Sequence, residues 1–80
     1  MNITHKNDYV IVAVSESEVE QFNQREHAAI PFNDEYDAIT FAFKKGSGDL
    51  LRVIPDATRQ GTLAWERLRD KARQHWRAQG

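Results

Sequence analysis

Three arginines, Arg69, Arg73 and Arg77, recur at every fourth position near the C-terminal end of the chain. On a helix that spacing makes a ridge along one flank, with Arg67 and Lys71 marking the other. A row of guanidinium groups can contact phosphates or dock on an acidic protein surface, because its planar donors match either anion in bidentate fashion. The plainer reading is a solvated helix surface. Glu66 and Asp70 lie among the arginines at pairing distance, and cations near a helix C-terminus are favourable in any case.

Two acidic sets balance the ridge. Glu16, Glu18 and Glu20 alternate at the start of a helix, and Asp34, Glu35 and Asp37 follow Asn33 in a connection. Either set could imitate phosphates toward a basic partner. Calcium would need about six to eight oxygens and a glycine-bearing turn, and the loop shows neither. His5, His27 and His75 lack metal-ligand spacing, and Gly46-Ser47-Gly48 has neither the lysine-serine pair nor the following helix of a phosphate cradle. No serine, histidine and acid order can be defended, so the expectation is a protein that is not an enzyme and uses no cofactor and no metal. Trp65 and Trp76 could be binding anchors; the spacing with Leu68 and Ala72 favours a core role for Trp65, while Trp76, near the fraying helix end, is open to either role.

Composition sets the frame for these residues. Eighty residues make one expected domain, 1–80, with 40% apolar and 29% charged residues, as in an ordinary globular chain. The absence of cysteine excludes a disulfide framework and fits a reducing, cytoplasmic setting. The longest apolar run, Tyr9 to Val14, is too short to cross a bilayer and lacks signal-peptide flanks. Asn2-Ile3-Thr4 matches a glycosylation sequon by chance on this reading. The net charge of −1 conceals an asymmetry: residues 1–57 carry −5 and residues 58–80 carry +4.

The elements that must position these groups are legible in part. Ile39, Phe41 and Phe43 alternate with Thr40, Ala42 and Lys44, the period of a strand with one buried face. Leu51 and Val53 alternate with Arg52 in a second strand, which Pro55-Asp56 stops. Gly46 and Gly48 supply the positive φ of the reversal between them. Tyr9 to Val14 is nearly continuous and β-branched, which implies a strand with both faces at least partly covered. Residues 1–8 are polar, with Ile3 able to extend that strand.

Ser15 and Glu18 form a capping box, flanked by Val14 and Val19 as a hydrophobic staple. The helix they start runs to about Glu26 or Ala28, with Val19, Phe22 and Ala29 inward. Ile30, Phe32 and Tyr36 anchor the connection that follows, and Pro31 bars any helix from continuing through it. Ala57–Gly61 is a short polar link, and Thr62 is the N-cap of a last helix from Leu63 to about Ala78. The expected fold is α+β: a three-stranded sheet with two helices packed on its Ile39/Phe41/Phe43 face, in the order strand, helix, strand, strand, helix. The pairing of the first strand stays open, and an uncovered edge or leftover apolar patch would allow a homodimer.

The segments V-S-E-S-E-V-E at Val14–Glu20, I-T-F-A-F at Ile39–Phe43, G-D-L-L at Gly48–Leu51 and I-P-D at Ile54–Asp56 resemble those of small phage and prophage proteins. In size, class and charge asymmetry the chain is similar to anti-CRISPR proteins. That group shares no common motif, so no functional residue carries over. The resemblance implies an interaction protein that acts by occupying a surface, with a bacterial CRISPR effector complex as the expected partner. The alternative is a small nucleic-acid-binding or regulatory protein that uses the basic helix, against which the net charge of −1 counts. A purely structural phage component is the third reading.

Overall fold

The computed structural model describes residues 1–55 and 63–78. In chain order they form β1 (Asn2–His5), β2 (Tyr9–Ser15), α1 (Glu16–Glu26), β3 (Ala38–Lys44), β4 (Leu50–Ile54) and α2 (Leu63–Ala78). The strands make one antiparallel sheet in the order β1-β2-β3-β4. The expected α+β class holds, with two helices, but the sheet has four strands rather than three. The link at Ala57–Gly61 and the proposed N-cap Thr62 lie outside the described residues.

The extra strand is β1. A turn closed by the Lys6 N–H donating to the Tyr9 carbonyl (2.9 Å) folds Asn2–His5 back onto β2. Ile3 then pairs with Val12 and packs against the core. One inward apolar side chain in four residues is too little alternation to announce a strand, so backbone pairing to β2 decides it.

β2 pairs antiparallel with β3 from Tyr9↔Lys44 to Ser15↔Ala38, which settles the pairing that the sequence left open. Val10, Val12 and Val14 therefore share a face with Ile39, Phe41 and Phe43, and all six are buried. The Phe41 and Phe43 rings stack with centroids 6.0 Å apart.

Helix α1 starts where its signals put it. The Ser15 hydroxyl accepts from the Glu18 N–H (3.3 Å), and a Glu18 carboxylate oxygen accepts from the Ser15 N–H (3.2 Å). These bonds satisfy donors that a helix start otherwise leaves open. Val19 and Phe22 face the core as expected. Ala29 does not: the helix ends at Glu26, His27 turns left-handed (φ 51°), and Ala29 is exposed. Ile30 fills the inner position instead, held by Asn23, whose side-chain amide donates to the Ile30 carbonyl and accepts from its N–H, both at 3.0 Å. Phe32 packs against the core as an anchor, whereas Tyr36 is 39% exposed.

The β3–β4 pairing contains a second departure. Phe41 faces Val53 and Ala42 faces Arg52, but Phe43 faces Leu50, so Leu51 is an unmatched extra residue. A bulge of this kind resets which residues point inward. Leu50 and Val53 pack on the core, and Leu51 is 56% exposed, contrary to the simple alternation.

Both helices join the core from the same side of the sheet. Trp65 (8% exposed), Leu68 and Ala72 of α2 are buried in one cluster with Val19 and Phe22 of α1 and the inward residues of β2 and β3. Half-buried Trp76 reaches Phe43, with centroids 6.4 Å apart. No helix among the described residues is long and apolar enough to cross a membrane.

Candidate functional site

Pairing of Ser15 with Ala38 places the first turn of α1 beside the end of the α1–β3 connection. The two acidic sets, far apart in sequence, thus meet at one end of the sheet. Within the connection, the Asn33 side-chain oxygen accepts from the Glu35 N–H (2.9 Å), and the Asn33 carbonyl accepts from the Tyr36 N–H (3.0 Å). This turn holds the loop with Asp34, Glu35 and Asp37 exposed, and Glu16 and Glu20 of α1 are exposed as well. Five carboxylates at one end create a concentrated negative field.

Glu18 belongs to the same sequence cluster but to a different environment. Its carboxylate is half-buried, capping α1 and ion-paired with the Met1 ammonium. Burial pushes its pKa up, but hydrogen bonds from the terminal ammonium and from the Ser15 N–H and hydroxyl outweigh burial, and the pKa falls below the ordinary value. Its charge is already committed to the fold. Among the described residues no group of three or more histidines and carboxylates is placed to hold a metal ion.

The arginine ridge is also partly committed. Arg73 lies against the β3–β4 turn: its Nε donates to the Gly48 carbonyl (2.8 Å), another guanidinium nitrogen donates to Asp70 (3.0 Å), and the group sits 5.5 Å from the Phe43 ring centroid. Arg77 stacks over Trp76 at 5.7 Å. Gly48 is buried with φ 76°, and a Cβ there would stand 2.6 Å from an Arg77 guanidinium nitrogen. The backbone conformation favours glycine there, whereas the tip of the exposed Arg77 side chain is free to shift away from a Cβ. Arg69 makes a longer contact to Asp70 (3.5 Å), while its Nε, like the Trp76 indole N–H, is buried without a hydrogen-bond partner among the described residues. On the opposite flank Lys71 pairs with Glu26 of α1 (3.7 Å) and lies 6.0 Å from the Phe22 ring centroid.

A third surface was not among the candidates drawn from the sequence. Opposite the helices, Tyr9 and Ile11 of β2, Thr40 and Ala42 of β3, and Leu51, Arg52 and Ile54 of β4 line a shallow concavity of about 440 Å³. It continues into a groove of about 490 Å³ along β4, which Tyr36 and Pro55 also line. The signal for this face was present in the unbroken apolar run Tyr9–Val14. That run implied cover on both faces, yet no described element covers the Tyr9/Ile11 side. Ile11 and Ala13 are half-buried among their strand neighbours, and Tyr9 is 37% exposed. Compared with protein-family models, curated proteins and solved structures, the chain matches none.

Proposed function

We propose that this chain is a non-enzymatic inhibitor of the phage type, which binds a bacterial CRISPR-Cas effector complex in the host cytoplasm and blocks its nucleic-acid or subunit binding. The observation that carries the reading is the convergence of Glu16, Glu20, Asp34, Glu35 and Asp37 at one exposed end of the sheet. Closely spaced carboxylates on a small rigid domain present to a basic groove the charge pattern that a phosphate backbone would. They are also free of the internal contacts that engage Glu18 and Arg73. The acidic end is therefore the working surface. Arg69 and Arg77 extend contact to acidic residues of the partner. The other reading, nucleic-acid binding through α2, has less support, because Arg73 is held by Gly48, Asp70 and Phe43.

The test is a tagged pull-down from a CRISPR-bearing bacterial lysate, with and without nuclease, followed by reversal of the five carboxylates to lysine. Retention of a defined effector complex after nuclease, and its loss on charge reversal with the circular dichroism unchanged, is the expected result. Recovery of nuclease-sensitive material that depends on Arg69 and Arg77 would instead establish the α2 reading. Unchanged effector binding after charge reversal would remove the acidic end from the mechanism.

A further inference from the structure

One uncharged side chain on α1 holds the start of the acidic connection. As the chain leaves the helix, the Asn23 carbonyl accepts from the His27 N–H and from the Ala28 N–H (2.9 Å). The Asn23 side chain then takes both backbone groups of Ile30: its Oδ1 accepts from the Ile30 N–H and its Nδ2 donates to the Ile30 carbonyl, each at 3.0 Å. Apart from these bonds, no hydrogen bond among the described residues ties residues 28–32 to the body of the domain.

Ile30 needs that partner. It is 4% exposed and belongs to the core, so its N–H and carbonyl have little access to water and go unsatisfied without Asn23. A primary amide carries an acceptor and a donor on one carbon and so answers both groups of one residue together. Aspartate offers acceptors only, and alanine offers neither. Beyond Ile30 and the packed Phe32, the turn that presents Asp34, Glu35 and Asp37 is bonded only to itself, since the Glu35 and Tyr36 N–H groups both return to Asn33. Its placement therefore comes from its two ends: the anchored Ile30–Phe32 segment, and Ala38 paired with Ser15.

We propose that Asn23 is the positioning residue of the acidic loop. By letting Ile30 enter the core with both backbone groups bonded, it fixes the path on which Asp34, Glu35 and Asp37 are carried. Charges held in place before binding lose less freedom on binding, so Asn23 sets the affinity of the acidic end without carrying charge itself. The effect on affinity rests on the proposed function, whereas the clamp is read on the free protein.

Amide exchange and ¹⁵N relaxation of the free chain, followed by effector capture from the lysate over a salt series, test it. Asn23→Ala is expected to lower protection of the Ile30 amide at least tenfold. Order parameters of residues 33–37 fall with it, from the rigid range near about 0.85 to below about 0.6. Asn23→Asp, which keeps the shape and the acceptor but loses the donor, loosens the same residues and serves where the alanine variant does not fold. Effector capture by Asn23→Ala weakens about tenfold with an unchanged salt dependence, because all five carboxylates remain. Arg73→Ala, at the opposite end of the sheet, controls for general loss of stability and leaves both residues 33–37 and capture as in the wild type. Unchanged protection and order parameters in both Asn23 variants would overturn the clamp. A loosened loop with full capture, or equal weakening by Arg73→Ala, would overturn its role in affinity. If the wild-type chain captures no effector, the proposed function fails, and the free-chain measurements still decide whether Asn23 holds the loop.

Discussion

The acidic end and the arginine ridge look alike in the sequence, each a set of like charges on a helix or loop, and they meet different fates in the fold. The carboxylates of Glu16, Glu20, Asp34, Glu35 and Asp37 are exposed. Arg73, by contrast, joins α2 to the β3–β4 hairpin through the Gly48 carbonyl and the Phe43 ring, and pairs within the helix with Asp70. A charge row is therefore not a functional signal in itself. What decides is whether the fold has already used its hydrogen-bonding capacity, since a side chain that must give up internal partners binds a new one less favourably.

That contrast can be broken most directly at Arg73. Arg73→Ala removes two hydrogen bonds and a cation–π contact from a half-buried site and is expected to destabilise the domain by about 2 kcal/mol. Neutralising Glu16, Glu20, Asp34 and Glu35 singly is expected to change stability by less than about 0.5 kcal/mol each. Urea denaturation of both series would decide the matter: equal costs would erase the distinction between a structural and an available row.

The turn that receives Arg73 sharpens the comparison at a smaller scale. Gly46 and Gly48 both have positive φ, but open space surrounds a Cβ at Gly46 and Arg77 crowds one at Gly48. Gly46→Ala is expected to cost about 1 kcal/mol from backbone conformation alone. Gly48→Ala is expected to cost a similar amount, because the tip of the exposed Arg77 side chain can shift away, and the same denaturation assay compares the two. A markedly larger loss at Gly48 would mean that the Arg77 side chain is held in place against the turn.

The smallest expected effect concerns the one carboxylate of the acidic cluster that the fold has absorbed. Because the Glu18 pKa is lowered on folding, the unfolded chain binds its proton first as pH falls. The stability Glu18 contributes is full above its unfolded value of about 4.3 and is lost as pH drops through the lower folded value. Glu18→Gln is expected to flatten that part of the stability profile. A Glu18→Gln profile identical to that of the wild type would show that the capping contact has no linkage to pH.

Local rules made much of the fold legible. Ser15 and Glu18 announced the start of α1, the alternation through Phe43 announced β3, and the spacing of Trp65, Leu68 and Ala72 announced the buried stripe of α2. Each depends on residues near one another in the chain, whose backbone conformation and periodicity follow from local sterics and hydrogen bonding. β1 was not legible, because four mostly polar residues become a strand only when β2 offers its edge. The bulge that exposes Leu51 was equally hidden, since it reflects how β4 matches β3 rather than any property of L-L-R-V-I by itself.

The candidate surfaces divide the same way. Sequence by itself determined which residues carry charge, where the helices and the central hairpin begin, and that the chain has an apolar strand at Tyr9–Val14. Only the tertiary structure decided that the two acidic sets share one end, that Arg73 is bound to a turn 25 residues away, and that one face of that apolar strand has no described cover. The physical reason is that partnership across the sheet and between layers depends on register and on which face each helix occupies. Both are settled by packing the whole chain at once, and no short stretch of residues records them.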